Sequence, residues 1–222
     1  MSITSILMSV MPAVNPARST RREKAAATRE RIIVAATEVF SESGYVGARM
    51  ADVAARAGVA VQTVYYTFHT KEELLKACFD RAVLGPERLP PPQQTFWTEM
   101  TKARSGRTAI AAFVRGNTAI LTRVAAIDEV AKAVPHEPDA TEVVANSERL
   151  RREGYRNALA TLAGRFGLRD GLDIDKATDL LLMFGSSATY LTLRRYAWSD
   201  DDYVAWATDT LSKQLLARPG RA

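Results

Sequence analysis

From Val61 to Lys71 the chain reads Val-Gln-Thr-Val-Tyr-Tyr-Thr-Phe-His-Thr-Lys, a run of amide and hydroxyl groups closed by one ammonium. Laid on a helix, Val61, Gln62, Thr63, Tyr66 and Thr67 share the outward side, while Val64 and Phe68 turn inward with Val59. That outward set suits the reading of DNA bases. A glutamine amide offers the donor and acceptor that match adenine in the major groove, and Val or Thr methyls can meet the thymine methyl. Lys71 and the hydroxyls of Tyr65 and Tyr66 suit phosphate oxygens, which fix register without reading sequence. The Tyr65 ring has two readings, core packing or DNA contact; a ring inside with its hydroxyl outside satisfies both.

Other chemistry is scarce. One Cys and two His are too few for an intrachain disulfide or an ordinary Cys/His zinc site, so neither metal nor cofactor is expected. No nucleophile paired with a base and no Gly-rich phosphate loop is present, which argues against an enzyme. Cys78 lies among apolar residues and reads as a small buried hydrophobe, in keeping with a reducing, cytoplasmic compartment. His69 reads as a surface residue in a turn, and His136, near Pro135 and Pro138, as a loop residue. With 222 residues, 47% hydrophobic and 25% charged, the chain is in the range of soluble globular proteins. Its apolar runs are broken by charge before the roughly 18 residues of a membrane span, so no membrane partner is expected. The net charge of +5 permits nucleic-acid contact. Much of that excess is local: residues 18–31 carry six basic side chains against two acidic ones.

Positioning the Val61–Lys71 run requires short helices in a fixed order. Ile32, Ile33, Ala36, Val39 and Phe40 fall at three-and-four spacing, so a helix runs from about Thr28 and stops at Gly44. A second covers about 50–57 with Val53, Ala54 and Ala57 inward, ends at Gly58, and is followed at once by a third over 61–67. Two short helices joined by a tight Gly-containing turn form a helix-turn-helix, whose second helix can enter a major groove. A fourth helix starts at Thr70, an N-cap followed by Glu72 and Glu73. The division is then residues 1–26, a disordered basic tail; 27–84, the helix-turn-helix domain; 85–95, a Pro-rich linker; and 96–217, a C-terminal domain. Further helices are expected over 95–104, 107–133, 139–166, 173–196 and 199–217, because Gly and Pro fall between these segments. The fold class is all-α, a three-helix helix-turn-helix unit followed by a helical bundle.

Residues 44–75, GYVGARMADVAARAGVAVQTVYYTFHTKEELL, resemble the DNA-binding region of TetR-family transcriptional regulators. The resemblance rests on Gly-aromatic after the first helix, Val53-Ala54 on the second, Ala57-Gly58-Val59 at the turn, then Thr63, Tyr65, Phe68 and Lys71-Glu72-x-Leu74. Two positions depart from the family pattern. Arg49 and Ala60 stand where Ser or Thr usually begins each of the two short helices, so both lose a capping oxygen. Arg49 can instead supply a charged phosphate contact. The resemblance implies a regulator, a repressor released from a palindromic operator by a small-molecule effector, working as a homodimer. Its implied DNA contacts are Arg49, Val61, Gln62, Thr63, Tyr65, Tyr66, Thr67 and Lys71.

Such a regulator needs a second site in the bundle. Trp97, Phe113, Asn117, Met183, Ser187 and Tyr190 compose a mostly apolar pocket with a few orienting polar groups, suited to an uncharged, largely apolar compound. The same residues would equally line a filled core. The last two helices, with Leu193, Tyr203, Trp206, Leu211 and Leu215, have wide apolar faces and are the expected dimer interface. The alternative reading is a ligand-independent DNA-binding regulator or an architectural protein.

Overall fold

The computed structural model describes residues 16–86 and 88–217. Among the described residues ten α-helices follow one another: α1 Pro16–Gly47, α2 Met50–Ala57, α3 Val61–Thr67, α4 Lys71–Leu84, α5 Thr95–Lys102, α6 Gly106–Lys132, α7 Pro138–Phe166, α8 Ile174–Phe184, α9 Ser187–Arg195 and α10 Asp200–Leu215. The only sheet-like pairing among the described residues is a single antiparallel bridge between Leu168 and Leu216. The protein is therefore all-α, as its periodicity requires.

Two element boundaries differ from expectation. Helix α1 begins at Pro16, so residues 16–26, read as disordered tail, are helical. Arg, Lys, Glu and Ala dominate that stretch and favour a helix even where residues 21–27 are exposed to solvent. The remainder of the expected tail lies outside the described residues. The apolar stripe begins at Ile32 and the helix is broken at Gly44, whose φ of 69° leaves the helical region. The second difference is at 173–196, where one helix was expected and two are found. The break falls at Gly185, and the Ser186 hydroxyl starts α9 by accepting from the Thr189 N–H at 3.1 Å. A run of Leu, Met and Phe hides such a break, because either side of it is equally apolar.

Helix α6 is the axis of the molecule. By length and composition it is apolar enough to cross a membrane, yet its buried residues, among them Ile110, Phe113, Leu121, Val124 and Ile127, are covered by the rest of the protein. It packs against α1 and α4 at one end and against α5, α7, α9 and α10 elsewhere. The helix-turn-helix unit and the bundle therefore share one core. The Pro-rich segment is tied down as well. The Gln94 side-chain amide donates to Leu89 O at 2.8 Å and Val83 O at 3.2 Å, closing the segment over a single 3-10 turn, Pro91–Gln93.

Candidate nucleic-acid interface and cavity

Helix α3 is held from behind by Val64 and Phe68, both essentially inaccessible to solvent. The turn before it follows from Gly58, whose left-handed φ of 65° lets the Val59 N–H reach Ala54 O at 3.0 Å. Arg49 and Ala60 start α2 and α3 without a side-chain capping bond, as their identities imply. The far end of α3 is pinned from α1. The Arg29 guanidinium lies 4.2 Å from the centre of the Phe68 ring and reaches Thr67 O at 3.5 Å.

The front of α3 carries the expected residues. Gln62 is exposed, Val61, Thr63 and Thr67 are half-buried, and Arg49 stands exposed at the start of α2. Tyr66 is 87% exposed and Tyr65 50%, so the Tyr65 ring is not a core ring. Lys71 also makes contacts within the chain that its sequence position does not announce. Its ammonium donates to Tyr45 O at 2.9 Å, lies 3.4 Å from Ala48 O, and sits 4.5 Å from the centre of the Tyr45 ring. The Lys71 ammonium thus ties the start of α4 to the turn between α1 and α2. Neither Arg29 nor Lys71 advertises these contacts in sequence, because both partners are backbone carbonyls or rings far along the chain.

A second feature lies behind α4. A cavity of about 610 Å³ opens between α4, the Pro-rich segment, α5, α6 and α7, with Ser187 of α9 on its wall. Trp97, Phe113, Asn117 and Ser187 line it as expected, and sequence reasoning missed Phe79 and Val83 of α4, Phe96 of α5, and Arg151 and Tyr155 of α7. Met183 and Tyr190 are not on the wall. Met183 is exposed at the surface, and Tyr190 is buried with its hydroxyl donating to Asp200 Oδ1 at 2.8 Å. The break at Gly185 is the reason, since Met183, Ser187 and Tyr190 share a face only on an unbroken helix. Inside the cavity wall the Tyr155 hydroxyl donates to Asn117 Oδ1 at 2.6 Å, and burial pushes its pKa up to about 12, so it remains a neutral donor.

The expected interface residues are also redistributed. Tyr203, Leu211 and Leu215 are buried within the chain itself, whereas Leu193 and Trp206 are half-buried. A wide apolar face on a helix reports burial but not by which chain. Tyr203 makes the point: its hydroxyl donates to Phe184 O at 2.8 Å and its ring meets Tyr190 edge-on at 5.3 Å.

Residues 32–78 match the profile of bacterial regulatory proteins of the TetR family. This segment is a TetR-family DNA-binding domain. The chain is also similar to the HTH-type transcriptional regulator CymR of Pseudomonas putida, with 43% identity over 67 residues; the match spans 30% of this chain and 33% of CymR. Beyond the TetR-family domain the likeness is one of fold. A TetR transcriptional regulator from Chloroflexus aurantiacus superposes over 87% of this chain and 98% of its own with a TM-score of 0.62 and 22% identity. FadR from Bacillus subtilis, solved in complex with stearoyl-CoA, superposes over 82% of this chain and 95% of its own with a TM-score of 0.59 and 19% identity. The bundle attached to the TetR-family domain thus has the same all-helical architecture as these regulators.

Proposed function

We propose that the chain is a transcriptional regulator that binds a palindromic operator as a homodimer, and that it is a repressor released when an uncharged, largely apolar compound enters the cavity behind α4. The observation that carries this reading is the shared use of one helix. The start of α4 abuts the DNA-reading α3, and further along the same helix Phe79 and Val83 form part of the cavity wall. A molecule in the cavity that shifts α4 shifts α3 with it, and this is the coupling between two sites that regulation requires. The bound stearoyl-CoA of FadR supports a ligand in a bundle of this architecture.

The exposed groups of α3 supply base contacts, with Gln62 as the adenine reader and Tyr66 on phosphate or base edges. The test is a fluorescence-anisotropy titration of DNA lying upstream of the gene for this protein, at two salt concentrations. Specific binding should weaken steeply as salt rises, and the double variant Gln62→Ala, Tyr66→Ala should lose affinity by about 10-fold to 100-fold while keeping its helical circular dichroism. Equal affinity for operator and random DNA would replace this reading with an architectural one.

A further inference from the structure

Helix α6 turns one face to the cavity. Phe113, Asn117, Leu121, Val124 and Asp128 follow one another at three-and-four spacing, and all of them line the wall. The face changes character along its length. Phe113 meets the Tyr155 ring edge-on, Asn117 is engaged by the Tyr155 hydroxyl, Leu121 and Val124 are plain aliphatic surface, and a carboxylate ends the row. From Asn117 to Asp128 the helix rises about 16 Å, so the apolar stretch between the two is long.

Asp128 stands out in this setting. The residue is 7% exposed, and its carboxylate has given up most of its water. Its partner is Lys132, one helical turn on, whose ammonium lies 3.1 Å from Oδ2 and is shared with Glu148 at 2.6 Å. Lys132 itself does not line the cavity. The cations that do, among the described residues, are Lys76 and Arg151, and they are held by Asp80 at 2.7 Å and by Glu148 at 3.4 Å. No described residue bonds the other oxygen of Asp128, Oδ1. Nor is that oxygen sealed off: the buried side-chain atoms that lack a partner and are closed to solvent are Arg151 Nε and Thr208 Oγ1.

A carboxylate oxygen accepts hydrogen bonds and cannot donate them, so an open one in an apolar wall calls for a donor. Lys132 and Arg151 between them match the charges of Asp128 and Glu148. An ammonium guest would therefore meet a cation as well as the carboxylate, whereas a neutral O–H brings no charge with it. We propose that the cavity takes an uncharged, elongated apolar compound ending in a hydroxyl, an alcohol or a phenol, and that Asp128 Oδ1 accepts the hydrogen bond that seats it. The proposal rests on the effector reading above and adds a polar end to the compound.

Matched compounds separate the donor from the rest of the guest: 4-hydroxybiphenyl, its methyl ether 4-methoxybiphenyl, and the ammonium form of 4-(aminomethyl)biphenyl. Binding to the full chain is measured by equilibrium dialysis at neutral pH. The hydroxyl compound should bind about tenfold tighter than its ether, the scale of one hydrogen bond to a charged group, and the ammonium should bind weakest. In Asp128→Leu, which leaves Lys132 on Glu148, the hydroxyl compound should fall to the level of the ether, whose unchanged affinity reports an intact cavity. Asp128→Asn keeps an oxygen without the charge and should retain an advantage of only about two- to threefold. The order in the native chain decides the matter where a variant does not fold. Equal binding of hydroxyl and ether by the native chain, tightest binding by the ammonium, or an advantage that survives Asp128→Leu overturns the assignment of Asp128 and leaves the effector cavity standing. If none of the three compounds binds a protein that still binds its operator, the effector reading itself fails, and this inference with it.

Discussion

The Lys71 ammonium, by spending its hydrogen bonds on carbonyls of the α1–α2 turn, sets where α2 starts relative to α4. Replacing it with Ala leaves the Tyr45 carbonyl without its donor and removes the cation from the Tyr45 ring. Lys71→Ala is therefore expected to lower the unfolding free energy by about 1 kcal/mol in urea titration, the usual scale for one hydrogen bond to a charged group in a half-exposed setting, with DNA affinity falling alongside. A lysine that served phosphate alone would leave the urea midpoint of the free protein unmoved. Cys78 is inert for a comparable reason of position. Burial pushes its thiol up to about 12, and the sulfur faces Ile33 O at 3.7 Å. The contrast between these residues shows what a sequence conveys at this scale. The burial of Val64, Phe68 and Cys78 follows from helical spacing, because burial repeats every three or four residues. The partners of Lys71, Arg29 and Arg151 do not, since long flexible side chains choose among acceptors brought close only by the fold.

Most helix boundaries were legible from a cap or a breaker. Thr70, Ser105, Asp173 and Ser199 each accept a backbone N–H at a helix start, and Gly44 and Gly58 take positive φ at helix ends. The α8–α9 break was not legible, because what holds it is a pair of side chains from other helices: the Tyr155 hydroxyl 2.9 Å from Gly185 O, and Asn117. Helix α3 is short and starts at Ala60 with no capping side chain, so Ala60→Ser should stabilise the free protein by about 1 kcal/mol, seen as a raised urea midpoint and slower amide exchange in α3. Between α6 and α7 the tie is ionic. Burial pushes the Glu148 carboxyl up, but the hydrogen bond from Lys132 and the charges of Arg151 and Lys132 outweigh it and leave the pKa below the ordinary range. A carboxyl whose folded pKa is depressed adds stability above its unfolded pKa and loses it as pH falls through the folded value. Stability of the native chain should thus decline across and below the ordinary carboxylate range, and Glu148→Gln should flatten that part of the profile in urea titrations between pH 7 and pH 3.

At the scale of the whole molecule, the proposed pairing of two copies must use surface that folding of one chain leaves open. Tyr203, Leu211 and Leu215 are spent on the core, which leaves Met183 at 53% exposure and Tyr196 at 75%, beside the half-buried Leu193 and Trp206, as the apolar surface of this region. These belong to α8, α9, α10 and the turn before α10, and they are linked: Phe184, next to Met183, meets Trp206 edge-on at 5.8 Å, and Trp198 meets Trp206 at 6.0 Å. In a proposed two-fold dimer through this face every contact made by Met183 and Tyr196 of one copy would be repeated by those of the other. Met183→Glu should then convert the dimer to a folded monomer in sedimentation equilibrium, with circular dichroism unchanged and operator affinity lost, because one reading helix binds half a site. Leu211→Glu should behave differently, placing a charge in the protomer core and lowering the melting temperature whatever the assembly state. If Met183→Glu sediments as a dimer, the face is wrong; if it unfolds as Leu211→Glu does, then Met183 is part of a core despite its exposure. The separation between the two variants tests whether this region of the bundle is divided between a face that folds the chain and a face that pairs it, the arrangement by which one α3 per copy would reach successive major grooves.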